Sequence, residues 1–356
     1  MKVVIAGGGT GGHIFPAISI AEEIRRRNPN SEILFIGTER GFEKERILKR
    51  GYRIEFISSG GIVGKGLINS IVGAAHSLKG VFDSINILLR FDPSIVVGVG
   101  GYVSGPVVLA TFLLRKPAVI CEQNTIPGLT NRILARFVKR VFATFDESVR
   151  YFPKVRTMVL GNPVRRLILS SNRVGTIRNG INVLVFGGSQ GARRLNENVP
   201  KAFGILDRKD IFVIHQTGEM GSIDVRSSYE RNGIRAKVQQ FIEDMEGVYN
   251  SADLVIGRAG AGTIAEITAL GKAAILVPYP FSAHNHQLEN AKVMEKAGAA
   301  VVIEDREASP ERLAMVMRDL LNGDKLTVMR ENSKRLGKPN ASRDIVDEIF
   351  KIAGVE

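Results

Sequence analysis

A chain of 356 residues exceeds the size at which one hydrophobic core stops growing, so two domains are the default expectation, and its 44% hydrophobic and 24% charged residues exclude a disordered or fibrous protein. The lone cysteine, Cys121, excludes an internal disulfide; together with an opening strand at 2–6 where a secretory signal would carry its apolar region, it predicts a reducing, cytoplasmic setting. A formal charge of +13, no Trp and only 6% aromatic residues point to an anionic membrane surface or a phosphorylated substrate and away from nucleic acid, which wants stacking platforms.

Short apolar runs at 3–6, 33–36, 95–99, 118–121 and 141–143, then at 183–186, 212–214, 254–256, 274–277 and 300–303, alternate with helical patterns. Continuous Val, Ile and Leu runs separated by helices mark parallel sheets covered on both faces, so each half reads as a doubly wound α/β domain.

The first run feeds Gly7-Gly8-Gly9-Thr10-Gly11-Gly12-His13, which satisfies G-x-G-x-x-G between a strand and a helix. Glycines there let backbone N–H groups approach an anion closely, or serve only a tight turn. A nicotinamide enzyme wants an acidic residue about 20 residues on. Glu39 stands 27 past Gly12, which disfavours a dehydrogenase. His13 opens the helix, where the dipole favours neutral imidazole; it can take a proton from an acceptor hydroxyl, or merely cap the turn or touch phosphate.

Between Leu67 and Arg90 an apolar stripe, Ile68, Ile71, Ala75, Leu78, Phe82, Ile85 and Leu89, opposes Asn69, His76, Lys79, Asp83 and Arg90. Polar residues interrupt it too often for a membrane span, leaving a core helix or a membrane-surface helix. The run 95–99 leads into Gly100-Gly101-Tyr102-Val103-Ser104-Gly105-Pro106, a second glycine-rich loop in the same half. One nucleotide rarely needs two, so Gly100, Gly101, Tyr102 and Ser104 suit a second anion such as an acceptor diphosphate. Glu122-Gln123-Asn124 then puts a carboxylate and two amides at a strand's carboxyl end.

Gly161-Asn162-Pro163, followed by a polar stretch at 170–182, reads as the boundary. It divides the chain into 1–163 and 164–341, with a last helix at about 342–356 expected to cross back to the first domain. Residues 1–163 hold 22 Lys+Arg against 12 Asp+Glu, net +10, and the remainder 27 against 24, net +3. The amino-terminal half is therefore the one suited to an anionic partner.

The second array begins like the first, with a strand into Gly187-Gly188-Ser189-Gln190-Gly191, and Arg165 stands nearby as a charge partner for a leaving group. Arg258-Ala259-Gly260-Ala261-Gly262-Thr263-Ile264-Ala265-Glu266 follows the run 254–256 and starts a helix whose small residues admit a diphosphate. Glu266 either closes a capping box with Thr263 or accepts hydrogen bonds from a ribose diol. His284 and His286 lack nearby carboxylates, so no metal site is expected. Ligands of doubly wound sheets bind beyond the strands' carboxyl ends, which would bring both glycine-rich turns to one cleft.

These six motifs, GGGTGGH at 7–13, GGYVSGP at 100–106, EQN at 122–124, GNPVR at 161–165, GGSQGA at 187–192 and RAGAGTIAE at 258–266, resemble in order those of the MurG family, the peptidoglycan UDP-N-acetylglucosamine transferases. The resemblance implies a glycosyltransferase B fold, two Rossmann-like domains facing a central cleft, with the acceptor on the first and the UDP-sugar chiefly on the second. The implied reaction is inverting transfer of N-acetylglucosamine to the muramyl C4 hydroxyl of undecaprenyl-diphosphate-N-acetylmuramoyl-pentapeptide (lipid I), giving lipid II. It implies donor contacts at Thr10, Gly11, Gly12, Asn124, Arg165, Ser189, Ile242, Ala261, Gly262, Thr263, Ile264, Ala265, Glu266 and Gln287, with Glu266 on the ribose hydroxyls. His13 is the preferred base, and Glu122 and Tyr102 are rivals or positioners. No cofactor or metal is implied; helix dipoles and Arg165 would meet the diphosphate charge. The residue before EQN, commonly His in the family, is Cys121 here. The resemblance also implies a peripheral protein on the cytoplasmic face of the membrane, serving peptidoglycan synthesis, cell shape and cell division alongside other cell-wall synthesis proteins. Rival readings are a diacylglycerol glycosyltransferase, a UDP-sugar 2-epimerase and a non-catalytic nucleotide-binding protein.

Overall fold

The computed structural model describes residues 1–8, 11–39, 43–58, 67–165, 180–188, 190–219 and 224–355, with the backbone alone at 11, 43 and 67–77. The chain forms two compact units, Met1–Val164 with Asn340–Glu356, and Arg165–Pro339.

The first unit holds β1 (Lys2–Ala6), β2 (Glu32–Gly37), β3 (Arg53–Phe56), β4 (Ile95–Gly98), β5 (Ala118–Glu122), β6 (Arg140–Ala143) and β7 (Thr157–Val159), in the order β3-β2-β1-β4-β5-β6-β7. The second holds β8 (Ile181–Phe186), β9 (Ile211–Gln216), β10 (Arg235–Gln239), β11 (Leu254–Gly257), β12 (Ala273–Leu276) and β13 (Ala300–Val302), in the order β10-β9-β8-β11-β12-β13. Neighbouring strands pair in parallel, as connecting helices dictate. Strand order reverses between β1 and β4 and between β8 and β11, the switch points at which such sheets hold ligands.

All ten apolar runs are strands. Three strands lack such a run: β3 (Arg-Ile-Glu-Phe), β7 (Thr-Met-Val) and β10 (Arg-Ala-Lys-Val-Gln). Each lies at a sheet edge and none of its residues is buried, so nothing requires continuous Val, Ile and Leu there.

Alternate residues of β1 serve two cores. Val3 and Ile5 meet Ile14, Ile18 and Ile24 of the Gly11–Arg27 helix, while Val4 and Ala6 meet Leu88, Val103 and Val107 on the other face. The last helix, Ala341–Ala353, seals the first of these cores with Ile345, Val346, Ile349 and Phe350. Burial of those four side chains contributes roughly 6–12 kcal/mol as an upper estimate. Arg27 stacks over Phe350 at 4.9 Å and pairs with Asp347.

The helix Leu67–Phe91 buries Ile87, Leu88 and Phe91. Leu78, Phe82 and Leu89, which belong to the stripe read from sequence, are 60–67% exposed, whereas Ile85 of the same stripe packs against the core, so the core reading fails at those three positions. Ile68, Ile71 and Ala75 lie outside the described side chains. Among the described residues no helix is long and apolar enough to cross a membrane.

Candidate functional site

In the first unit the loops after β1 and β4 touch backbone to backbone. A Cβ on Gly7 would lie 2.2 Å from Val99 Cγ2, and one on Gly101, at φ +77°, would lie 2.4 Å from the Gly8 carbonyl oxygen. Glycine is required by both the approach and the dihedral. Gly100, at φ +97°, lies under the His13 ring, and its Cβ would fall 2.7 Å from Nδ1 and 2.8 Å from Cε1. The imidazole is thus held at the start of the Gly11–Arg27 helix, beside the Gly100–Gly101 backbone. Tyr102 is 61% exposed next to it.

Ser104 is wholly buried; its hydroxyl donates to the Ala6 carbonyl at 2.8 Å and accepts from the Gly100 amide at 2.9 Å. It ties β1 to the second loop. The helix Gly101–Leu113 has no side-chain cap. First-turn amides lack intrahelical acceptors, so this terminus suits an anion.

The Glu122-Gln123-Asn124 motif divides. Glu122 is buried, with Oε1 accepting from the Asn124 amide at 2.9 Å and Oε2 from Asn131 Nδ2 at 2.8 Å. Burial pushes its pKa above the ordinary glutamate value, against the opposing pull of the hydrogen bonds from Asn124 and Asn131. A carboxyl with both oxygens so engaged shapes the loop and presents half-buried Asn124. Gln123, also buried, donates to the Val99 carbonyl at 3.0 Å.

In the second unit the Ala261–Ala269 helix begins after Gly260 without a side-chain cap. Glu266 is therefore in its sixth position, out of reach of a capping box, and pairs with Arg165 instead, Nη2 to Oε1 at 2.8 Å. Tyr249 is buried beside this pair, its phenol pushed well above its ordinary pKa by burial and by the Glu266 carboxylate. Ala261, Ile264 and Ala265 are buried, whereas Gly262, Thr263 and Glu266 are partly buried. Among the described residues nothing lies within 4 Å of a Cβ added at Gly262 or at Gly188.

Gly191, at φ +83°, packs so closely on strand β9's exit that a Cβ would lie 2.0 Å from the Thr217 carbonyl oxygen. Ile242 is buried with its amide bonded to Gln216 Oε1 at 3.0 Å. Gln287 Oε1 accepts from the Tyr279 amide at 3.0 Å, and its helix starts after His284 and Asn285, both at positive φ. His286 Nδ1 bonds the Ala283 carbonyl. Thr10 and Ser189 lie outside the described residues.

Three supporting residues were not legible as site residues. Arg258 binds the Val277 and Pro278 carbonyls and Asp305, fastening the loops after β11 and β12. Gln216 bridges two loops, and buried His215 joins Asn196 to Tyr229. The only signal was a polar group, His215-Gln216-Thr217, closing an apolar run.

Residues 3–143 match the glycosyltransferase family 28 N-terminal domain and residues 182–349 its C-terminal domain. A relative from Geotalea uraniireducens (strain Rf4), named UDP-N-acetylglucosamine--N-acetylmuramyl-(pentapeptide) pyrophosphoryl-undecaprenol N-acetylglucosamine transferase, is 44% identical over 99% of this chain and 98% of its own. The crystal structure of Acinetobacter baumannii MurG is similar at TM-score 0.82 and 32% identity, covering 98% of this chain and 99% of that one. A putative UDP-N-acetylglucosamine 2-epimerase from Listeria monocytogenes, 13% identical at TM-score 0.71 over 98% and 96% of the two chains, shares the fold.

Proposed function

The chain belongs to the MurG family of glycosyltransferases, and we propose on that premise that it transfers N-acetylglucosamine from UDP-N-acetylglucosamine to the muramyl C4 hydroxyl of lipid I, giving lipid II. The full-length likeness to a transferase of that name, at 44% identity, carries the reading. The first unit takes the acceptor and the second chiefly the donor.

Chemistry follows from the groups present. The acceptor C4 oxygen attacks the anomeric carbon as that carbon's bond to the UDP oxygen breaks, with inversion, and the hydroxyl proton passes to His13. An imidazole at a helix start, packed on Gly100, suits that role better than Glu122, whose oxygens are already engaged. Charge on departing UDP is met by Arg165, the first turn of the Ala261–Ala269 helix and the loop at Gly187–Gly188. Glu266 accepts from the ribose diol. A base removes the acidic limb of kcat against pH when replaced, so His13→Ala should lose that limb while Glu122→Gln lowers the rate without moving it.

The acceptor side also carries a membrane surface. Phe112 and Phe137, 46% and 38% exposed with ring centroids 4.8 Å apart, lie with Leu113 in a groove of about 650 Å³ rimmed by Arg115, Lys116, Arg136, Lys139, Arg140 and Arg156. Exposed Leu78, Phe82 and Leu89 belong to the helix packed against the Gly101–Leu113 helix. Apolar side chains ringed by cations fit an anionic bilayer surface, so the enzyme is peripheral to the membrane at its cytoplasmic face, where the lipid-linked acceptor is presented. UDP release that requires the muramyl acceptor tests the whole reading; equal release without acceptor would sink it.

A further inference from the structure

Gln216, the last residue of β9, is 4% exposed and uses both ends of its amide. Nε2 donates to the Gly188 carbonyl at 2.9 Å, in the glycine-rich turn after β8. Oε1 accepts from the Ile242 amide at 3.0 Å, in the loop after β10. Because β9 lies between β8 and β10, one side chain spans the two loops that flank its own strand.

Among the described residues no other side chain bonds the Gly188 carbonyl or the Ile242 amide. Gly188, at φ +86°, has its carbonyl closed into the turn by the Gly191 amide at 3.1 Å, and Gln216 is the side chain that carries that turn across to the next loop. Buried Ile242 presents only backbone, and in its planar peptide the Phe241 carbonyl must point opposite to the amide that Gln216 holds. Neighbouring bonds make the platform under Gln216 rigid: Thr217 and Gly218 amides donate to the Gln239 and Gln240 carbonyls, and Asn196 Nδ2 donates to the Thr217 carbonyl at 2.9 Å. A group held in so firm a frame sets a distance.

We propose that Gln216 is a positioning residue for the donor nucleotide, fixing the spacing between the phosphate-facing turn at Gly187–Gly188 and the Phe241–Ile242 loop so that one UDP-sugar engages both. The inference rests on the donor assignment made above. A ligand that spans both loops depends on the tie, whereas one that uses a single loop does not; UDP is the first kind and uridine the second.

The test compares full-length wild type with Gln216→Met, which keeps the length and loses both hydrogen bonds. Titration calorimetry with UDP and with uridine, alongside KM and kcat for UDP-N-acetylglucosamine, gives the readout. Expected is a loss of about tenfold in UDP affinity and a matching rise in KM, with uridine affinity and kcat at saturating donor within about twofold. Unchanged UDP affinity overturns the inference, as does an equal loss for UDP and uridine with a fall in kcat. If Gln216→Met does not fold, Gln216→Glu retains an acceptor for Ile242 and loses the donor to Gly188; selective loss of UDP supports the tie and wild-type behaviour overturns it. Wild type that binds no UDP instead overturns the donor assignment itself, which separates the two failures.

Discussion

Arg165 places two hydrogen bonds on one oxygen of Glu266, 2.8 Å from Nη2 and 3.3 Å from Nε, across 101 residues of sequence. The guanidinium is 23% exposed and the carboxylate 14%, so the pair is sheltered enough for loss of one member to matter. Arg165→Met should destabilise the second unit by about 1–3 kcal/mol by leaving the carboxylate without its donor, read in urea unfolding. Glu266→Gln should raise the donor KM by about tenfold or more as the diol loses a charged acceptor.

Glycine at 100 and 101 is demanded by geometry. Gly101→Ala combines an unfavourable dihedral with a 2.4 Å approach to the Gly8 carbonyl, so it should destabilise the first unit by more than the roughly 1–2 kcal/mol of the dihedral alone. Gly100→Ala meets the movable His13 ring instead, at 2.7 Å. Its left-handed dihedral, φ +97°, costs stability as at Gly101, and kcat should in addition fall at least about tenfold as the imidazole is displaced. Thermal melts and kcat measured on both variants separate the two effects.

Burial depresses the pKa of His215 from 6.5 to about 3. The folded state then stays unprotonated while the unfolded chain takes up a proton below pH 6.5, so stability is full above 6.5 and lost as pH falls toward 3. The slope approaches about 1.4 kcal/mol per pH unit. Urea unfolding of wild type and His215→Gln at pH 7.5 and 5 should show the wild type losing roughly 1–2 kcal/mol more over that range; parallel losses would contradict the assignment.

Vesicle binding should follow the apolar and basic groups around the Phe112–Phe137 pair. Phe112→Ser with Phe137→Ser should weaken sedimentation with anionic vesicles. Arg136→Glu with Lys139→Glu should do the same by about 1 kcal/mol or more per charge and abolish most of the salt dependence. Soluble acceptor analogues should be turned over at near wild-type rates by both.

Parallel strands with a continuous apolar run were legible because burial on both faces demands it, and the glycine-rich exits of β1, β4, β8 and β11 were legible as candidate ligand loops. Edge strands β3, β7 and β10 were not, since their residues stay partly exposed. Within the site, His13 and Glu266 stood out by residue type, but what they touch did not. Glu266 reads as a capping-box acid if the helix is begun at Thr263, and only the true start at Ala261 puts it against Arg165. Ser104 looks in sequence like a ligand contact and Gln216 carries no such mark; that both are turned inward to tie loops is set by the strands beside them, a non-local property that no spacing along the chain encodes.

The most direct test follows label from radioactive UDP-N-acetylglucosamine in the presence of a short-chain lipid-linked muramyl-pentapeptide diphosphate, with diacylglycerol and no-acceptor reactions alongside. Label should appear in the muramyl product alone and be lost with Glu266→Ala. Label in the diglyceride, or epimerised UDP-sugar without transfer, would contradict the acceptor assignment.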